Sequence, residues 1–255
     1  MIRDDLQKNM AEIPWLPPPN PLVACREEVH VWRVPLDADA SETAHHAAVL
    51  TADERARAER FFFDVHRRRF TVARGVLRRV LGRYLGVPPE ALRFDYGPQG
   101  KPSLRCPAGT ALRFNVSHSG ALALIAVTAE RDLGVDVERV DPKRAAVSIA
   151  ERFFAPEEVA VFRSLPPEHW EEAFFNCWTR KEAYMKATGR GLTLGLDRFV
   201  VTLRPGAEAR LVSTAWHPPD AARWTMRALD PGPGYAAALA VEGGGWRLRC
   251  FAWEG

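Results

Sequence analysis

The chain has 255 residues, of which 47% are hydrophobic and 26% are charged, and its formal net charge is +3. These values are typical of one large or two small globular domains with an adequate core. No apolar run is long enough to span a membrane, and the first residues, Met-Ile-Arg-Asp-Asp-Leu-Gln-Lys, lack the apolar segment of a secretory signal. The mild positive charge permits an anionic substrate or an acidic partner but requires neither.

The four cysteines are scattered along the chain, at Cys25, Cys106, Cys177 and Cys250, with no C-x-x-C spacing. This pattern favours reduced thiols in a cytoplasmic protein over a disulfide framework or a zinc site. The histidines also lack metal-ligand spacing to any cysteine.

The first predicted elements are an irregular arm, a strand and a basic helical region. Five prolines between residues 14 and 21 predict that residues 1–28 form an arm, and alternation over Val29–Val34 predicts a strand. The pattern becomes helical from Ser41, and residues 52–85 predict one or two helices rich in arginine.

These arginines allow three interpretations. They can form a solvated outer face, supply one or two ligands for an anion, or bind nucleic acid. The 32 acidic residues dilute the positive field, and no nucleic-acid-binding motif is present. The sequence therefore does not predict a nucleic-acid partner.

The rest of the chain predicts an α+β protein with mostly antiparallel sheets. A turn over residues 97–102 presents Lys101, and strands are predicted over residues 112–116, 121–127 and 133–138. A helical region follows as far as Ala187. Turn-forming glycines and prolines then separate five candidate strands, over residues 199–203, 209–216, 224–229, 235–241 and 246–253.

Asp136 and Glu138 lie two residues apart in a predicted strand. The two-residue period of a strand puts both carboxylates on one face. Adjacent carboxylates repel each other unless a cation lies between them, and oxygen ligands suit Mg²⁺ or Ca²⁺. The pair by itself favours a half-exposed strand with an acidic outer face. A third carboxylate from elsewhere would favour the cation site.

Trp178, Glu182 and Lys186 recur at intervals of four residues, which puts them on one face of a helix. Gly189 and Gly191 follow, as expected where a helix ends. A solvated Glu–Lys pair on a surface helix is the simpler interpretation. The other is that a carboxylate and an ammonium are held one turn apart for chemistry.

The segment Ser117-His118-Ser119 does not predict a hydrolase. Neighbouring residues on an extended chain point in opposite directions, so Ser117 and His118 do not form a nucleophile–base pair. The G-x-S-x-G motif is also absent. The hydroxyls and the imidazole are better suited to binding phosphate.

Four segments occur in this order: Phe114-Asn-Val-Ser-His-Ser119, Gly134-Val-Asp-Val-Glu138, Phe153-Phe-Ala-Pro-Glu-Glu158 and the run from Trp178 through Lys186 to Leu192. Together they resemble the 4′-phosphopantetheinyl transferases, in the long Sfp-type branch. The resemblance covers about residues 97–192, and four motifs in order with matching spacing are specific. Residues 1–50 and 205–255 carry no usable signature.

The resemblance implies an α+β monomer of two similar subdomains related by a pseudo-twofold axis, with mainly antiparallel sheets and packed helices. The N-terminal half, residues 1–133, would carry the basic helix and the Ser-His-Ser motif. The C-terminal half, residues 134–255, would carry the Asp-x-Glu and Trp-x-x-Lys-Glu-Ala motifs. Coenzyme A would bind between the halves.

The resemblance also implies a reaction. Phosphopantetheine moves from coenzyme A to a serine of an apo acyl or peptidyl carrier protein, with release of adenosine 3′,5′-bisphosphate and dependence on Mg²⁺, with Mn²⁺ as a possible substitute. The implied metal ligands are Asp136, Glu138 and Glu182, and the implied catalytic residues are Glu182, as base, and Lys186. The implied coenzyme A contacts are Lys101, Ser117, His118, Lys181, Lys186 and one arginine of residues 67–74, for which Arg69 is the choice. The role of Glu158 is left open.

A rival interpretation is a non-catalytic coenzyme A or nucleotide-binding module of the same fold. Such a module needs only the phosphate contacts, so the intact set of three carboxylates favours the enzyme. Carrier proteins of this class are acidic, which predicts a basic or apolar docking surface near residues 155–192.

Overall fold

The computed structural model describes residues 13–143, 145 and 147–254, and the fold over these residues is α+β, as predicted. Its α-helices are α1 (Ala40–Ala47), α2 (Ala52–Ala58), α3 (Asp64–Leu85), α4 (Val147–Phe153), α5 (Pro156–Arg163) and α6 (Trp170–Thr188). Its strands are β1 (Trp15–Leu16), β2 (Glu28–Pro35), β3 (Arg93–Tyr96), β4 (Pro102–Cys106), β5 (Leu112–Ser119), β6 (Leu122–Ala129), β7 (Leu133–Arg139), β8 (Phe199–Val201), β9 (Leu211–Thr214), β10 (Trp224–Leu229), β11 (Tyr235–Glu242) and β12 (Arg247–Ala252).

Most predicted elements are confirmed with small shifts of their ends. The basic region divides into α2 and α3, and the five C-terminal strands are all present. The predicted arm differs over residues 15–16, which form a short strand, and its residues 1–12 lie outside the described part of the chain. None of the helices that the structure describes has the length and apolar character needed to cross a membrane.

Two sheets lie face to face between two long helices. The first sheet has the strand order β1-β12-β2-β6-β5. The second sheet has the order β10-β11-β7, and both of its strand pairs are antiparallel. A cluster of buried side chains from both sheets, including Val31, Leu124, Val135 and Leu239, fills the space between them. Helix α3 covers the outer face of the first sheet, and α6 covers the outer face of the second.

The strand period determines which side chains face which layer. In β7, Leu133, Val135 and Val137 enter the cluster between the sheets. Asp136 and Glu138 therefore point to the opposite face, where α6 packs. The contact between β7 and α6 is so close that a Cβ atom on Gly134 would lie 2.1 Å from the carbonyl oxygen of Ala183. Only glycine allows this approach, which brings α6 directly over the two carboxylates.

The last strand crosses between the two predicted halves. β12 inserts between β1 and β2 and pairs with both in parallel, so residues 247–252 complete the first sheet. The division at residue 133 into two similar halves stays a prediction.

Candidate active site

Four charged side chains meet where α6 crosses β7. Lys186 donates from Nζ to Asp136 Oδ1 at 2.6 Å and to Ser117 Oγ at 2.8 Å, and Ser117 donates to the same Asp136 oxygen at 2.9 Å. Glu182 lies one turn before Lys186, and its carboxylate interacts electrostatically with Asp136 and Glu138. The structure thus brings the predicted metal ligands and catalytic residues together.

Polar side chains join the edges of the two sheets at this place. In β5, Asn115, Ser117 and Ser119 face the edge strand β7 and accept hydrogen bonds from the backbone N–H groups of residues 135, 137 and 139, at 2.9, 3.4 and 3.0 Å. These bonds satisfy the open edge of β7. Ser119 also donates to Glu138 at 2.8 Å. The strand continues through the Ser-His-Ser segment, so Ser117 and Ser119 share one face.

The pKa of Glu182 is raised from its ordinary value of 4.5 to about 7. Burial is the main cause, the negative charges of Asp136 and Glu138 add to it, and Lys186 opposes it. A carboxyl group with this pKa exchanges its proton near neutral pH, which is the property required of a general base or acid.

The donor chemistry of this acidic cluster suits a hard cation. Asp136 Oδ2 is buried and has no hydrogen-bond partner, and carboxylate oxygens are the ligands that Mg²⁺ prefers. In the arrangement described, however, no three His, Cys, Asp or Glu side chains of residues 13–254 form a group ready to hold a metal ion. Lys186 supplies the positive charge next to Asp136 instead.

A cleft of about 270 Å³ adjoins the acidic cluster, and Lys186 belongs to both. Basic side chains line much of it: Arg57, Arg74, Lys101, His118 and Lys186. Such a cleft is suited to a ligand with several phosphate groups.

Two of the predicted phosphate contacts have specific local environments. Lys101 donates to the carbonyl oxygens of Leu133 and Ala187, at 3.2 and 3.1 Å, and thus connects the β3–β4 hairpin to β7 and α6. Burial lowers the pKa of Lys101 and also that of His118, whose pKa the charges of Lys186 and Arg57 lower further. The lowered pKa favours the neutral form of His118, whose imidazole can form a hydrogen bond with a ligand in the cleft.

The structure does not support the prediction for Arg69. Its guanidinium binds both carboxylate oxygens of Asp37, at 2.7 and 3.2 Å. The residues of α3 that line the cleft are Phe70, Ala73, Arg74 and Leu77, and Arg69 lies about a quarter-turn away from their common face.

Arg74 also belongs to the predicted run of arginines over residues 67–74, and it lines the cleft where Arg69 does not. Its guanidinium is buried, donates to Glu54 and to the hydroxyl of Tyr96, both at 2.5 Å, and lies at the cleft. The sequence contains a hint of this position, because the spacing of Arg74 places it within the apolar stripe of α3. A solvated arginine is unusual there. No pattern in the sequence distinguished Arg57 from its neighbours.

The prediction that Lys181 contacts coenzyme A is wrong. Its side chain is 0% exposed and forms an ion pair of 2.7 Å with Glu158. Its Nζ also donates to the carbonyl oxygens of Leu196 and Phe199. Successive side chains of a helix are about 100° apart around its axis. Lys181 therefore points into the core, whereas its neighbour Glu182 faces the acidic cluster.

Comparison with known proteins gives the family. A family model for the 4′-phosphopantetheinyl transferase superfamily matches residues 132–240, and one for the N-terminal region of 4′-phosphopantetheinyl transferases matches residues 36–130. The 4′-phosphopantetheinyl transferase HetI of Nostoc sp. is 45% identical over 241 residues, which cover 94% of this chain and 98% of HetI. The chain belongs to the 4′-phosphopantetheinyl transferase family. The resemblance of the four motifs is confirmed.

Two further relatives carry the same name. The 4′-phosphopantetheinyl transferase psf-1 of Bacillus pumilus is 35% identical over 64% of this chain and 67% of psf-1. The 4′-phosphopantetheinyl transferase Sfp of Bacillus subtilis is 26% identical over 78% of this chain and 85% of Sfp. This phosphopantetheinyl transferase is therefore an enzyme that transfers the 4′-phosphopantetheinyl group, and not a non-catalytic binding module.

Proposed function

We propose that this phosphopantetheinyl transferase moves 4′-phosphopantetheine from coenzyme A to a serine of an apo acyl or peptidyl carrier protein. The reaction releases adenosine 3′,5′-bisphosphate and depends on Mg²⁺, for which Mn²⁺ can substitute. The observation that carries this proposal is that Lys186 contacts Asp136, which interacts electrostatically with Glu182, and also lines the basic cleft. In this proposal the enzyme is cytoplasmic, because four free cysteines favour a reducing compartment, and it is a monomer, as the family resemblance implies.

The acidic cluster supplies the acid–base chemistry. Asp136, Glu138 and Glu182 would hold the metal ion, which supplies charge stabilisation on the phosphate oxygens when bound. Glu182 takes the proton from the carrier serine as its hydroxyl oxygen bonds to the phosphorus next to the pantetheine. The bond from that phosphorus to the oxygen of the adenosine bisphosphate breaks, and Lys186 stabilises the charge on the departing oxygen.

The basic cleft supplies binding and orientation. Lys101, Ser117 and His118 are proposed to contact the phosphates of coenzyme A, as the sequence predicted. Arg57 and Arg74 take the place proposed earlier for Arg69, because both line the cleft. Transfer of a phosphoryl-type group asks a protein mainly for positioning and for neutralisation of charge, and this cleft is equipped for both.

The test is the intact mass of an apo carrier protein incubated with this transferase, coenzyme A and Mg²⁺. We expect a gain of one phosphopantetheine group that EDTA abolishes and that added Mg²⁺ restores. A gain that survives EDTA would contradict the metal requirement. No gain on several unrelated carriers, despite measured binding of coenzyme A, would contradict the proposed acceptor.

An aromatic tip beside the cleft, formed by Phe61, Phe62 and Phe63 between α2 and α3, is proposed to contact the carrier. Phe62 is 92% exposed and Phe63 is 60% exposed. Phe61 lines an open depression together with Arg57, which also lines the main cleft. Exposed aromatic groups with arginines nearby are typical of interfaces with acidic partners. The surface predicted near residues 155–192 stays a prediction.

We expect Phe62→Ser to raise the KM for the carrier by about tenfold or more, because truncating an aromatic residue that is a hot spot of an interface costs about 2 kcal/mol or more. The KM for coenzyme A should not change. The measurement is steady-state transfer with each substrate varied in turn. The control is Val23→Ser, which removes another exposed apolar side chain. Equal carrier KM values for both variants and the wild type would contradict a role for the tip.

A further inference from the structure

The ammonium group of Lys186 lies against the carboxylate at the centre of the acidic cluster. Its Nζ is 2.6 Å from Asp136 Oδ1 and also donates to Ser117 at 2.8 Å. Asp136 is almost completely buried, and its second oxygen has no hydrogen-bond partner. A buried carboxylate requires a compensating charge, and Lys186 supplies it.

We propose that Lys186 is a metal-responsive side chain that occupies Asp136 before a divalent cation enters and leaves it when the cation binds. The inference rests on the proposed function, since it requires a metal at Asp136, Glu138 and Glu182. Lys186 thereby links two events, because the same displacement that opens the carboxylates to the metal frees the ammonium for a phosphate of the ligand.

Three features of the structure favour displacement of the side chain over movement of the helix. The close contact of α6 with β7 at Gly134 fixes the backbone on both sides of the cluster. The side chain of Lys186 is long and 29% exposed, whereas that of Asp136 is 3% exposed, so the lysine is the partner able to move. Lys186 also lines the cleft, so its ammonium has a second place to go.

The charges favour the same outcome. An ammonium and a divalent cation on one carboxylate repel each other strongly in a partly desolvated site. A metal bound through Asp136 Oδ2 with Lys186 still on Oδ1 is the competing arrangement, and it predicts no change at the lysine. The two arrangements therefore differ in an observable that is independent of catalysis.

The first experiment measures the reactivity of each lysine toward an acetylating reagent, by mass spectrometry, in the wild-type protein with and without Mn²⁺. We expect acetylation of Lys186 to increase when Mn²⁺ is added. Lys143, which is exposed, and Lys181, which is fully buried, should not change and serve as the high and low references. Unchanged labelling of Lys186 at Mn²⁺ concentrations that saturate the protein would overturn the inference.

The second experiment compares Mn²⁺ affinities, from the electron paramagnetic resonance signal of free Mn²⁺, for the wild type and Lys186→Met. We expect about a tenfold lower Kd for the variant, because the metal no longer has to break a charge-assisted hydrogen bond, although transfer by this variant is slower. Arg57→Met is the control, since it removes another cation of the cleft. Equal affinities for the wild type and Lys186→Met, or an equal gain in both variants, would overturn the inference.

The outcomes separate this inference from the proposed function. If wild-type protein binds Mn²⁺ and transfers phosphopantetheine but Lys186 does not respond, only the displacement is wrong. If wild-type protein binds no Mn²⁺ and transfer survives EDTA, the metal part of the proposed function fails and the inference fails with it.

Discussion

Replacing Glu182 by glutamine should slow transfer by about 10²–10⁴-fold, the contribution expected of a positioned general base. Glutamine has nearly the same size as glutamate but cannot accept the serine proton and is a poorer ligand for Mg²⁺. The measurement is the rate of mass gain of an apo carrier at saturating coenzyme A. Wild-type turnover in this variant would remove both proposed roles of Glu182.

The matched control is Glu172→Gln, on the exposed side of the same helix, which should transfer at the wild-type rate. The stability of Glu182→Gln can be measured separately from its activity. Because the pKa of Glu182 is raised from 4.5 to about 7, its ionisation lowers the stability of the metal-free protein as the pH rises through this range. In EDTA at pH 8, Glu182→Gln should therefore be at least as stable as the wild type.

Replacing Lys181 by methionine should lower the free energy of unfolding by about 3–5 kcal/mol, because it leaves the buried carboxylate of Glu158 without its counter-charge. The carbonyl oxygens of Leu196 and Phe199 lose their donor in the same step. The thermal midpoint should fall by about 6–20 °C, measured by calorimetry or circular dichroism. An unchanged midpoint would contradict the role of this ion pair in stability.

Two further variants locate the cause of the destabilisation. Lys143→Met removes an exposed lysine and should change the free energy of unfolding by less than about 0.5 kcal/mol. The double variant Lys181→Met with Glu158→Gln should recover part of the loss, because no uncompensated charge remains. Glutamine keeps an acceptor for the backbone N–H groups of Ala155 and Val201, which Glu158 binds at 2.8 and 2.7 Å. If the double variant is no more stable than Lys181→Met, the loss of stability is due to packing and not to the uncompensated charge.

Much of the fold is predictable because its signals are local. Alternation over β2, β6 and β7, the 3.6-residue period of α3 and α6, and the glycines that end α6 are all read within a few residues. The αL conformation of Gly189, with φ of 68°, confirms the predicted end of α6. Two elements were not predictable in this way. β1 and the insertion of β12 into the first sheet depend on pairing between residues more than 200 positions apart.

The candidate site also combines features that are predictable from local sequence with features that are not. The faces shared by Asp136 with Glu138, and by Glu182 with Lys186, follow from the periods of a strand and a helix. The prediction for Lys181 is wrong and that for Arg69 stays a prediction, because a sequence motif does not show which carboxylate a basic side chain will bind. Asp37 binds one of them, and Glu158 binds the other. Arg74 lies in the apolar stripe of α3, and the sequence did not distinguish it from Arg69 within the run of arginines over residues 67–74.

By itself, the sequence of this transferase determined its family, the order of its helices and strands, and the two pairs of charged residues that share a face. These properties depend on motifs and on periods of two and 3.6 residues, which are local. Only the tertiary structure decided that α6 meets β7 at Gly134, that Lys186 lies on Asp136, and that Arg74 reaches the cleft. The physical reason is that these contacts join residues at least about 20 positions apart in the sequence. Such contacts depend on how the layers pack and on which charged groups compete for each partner.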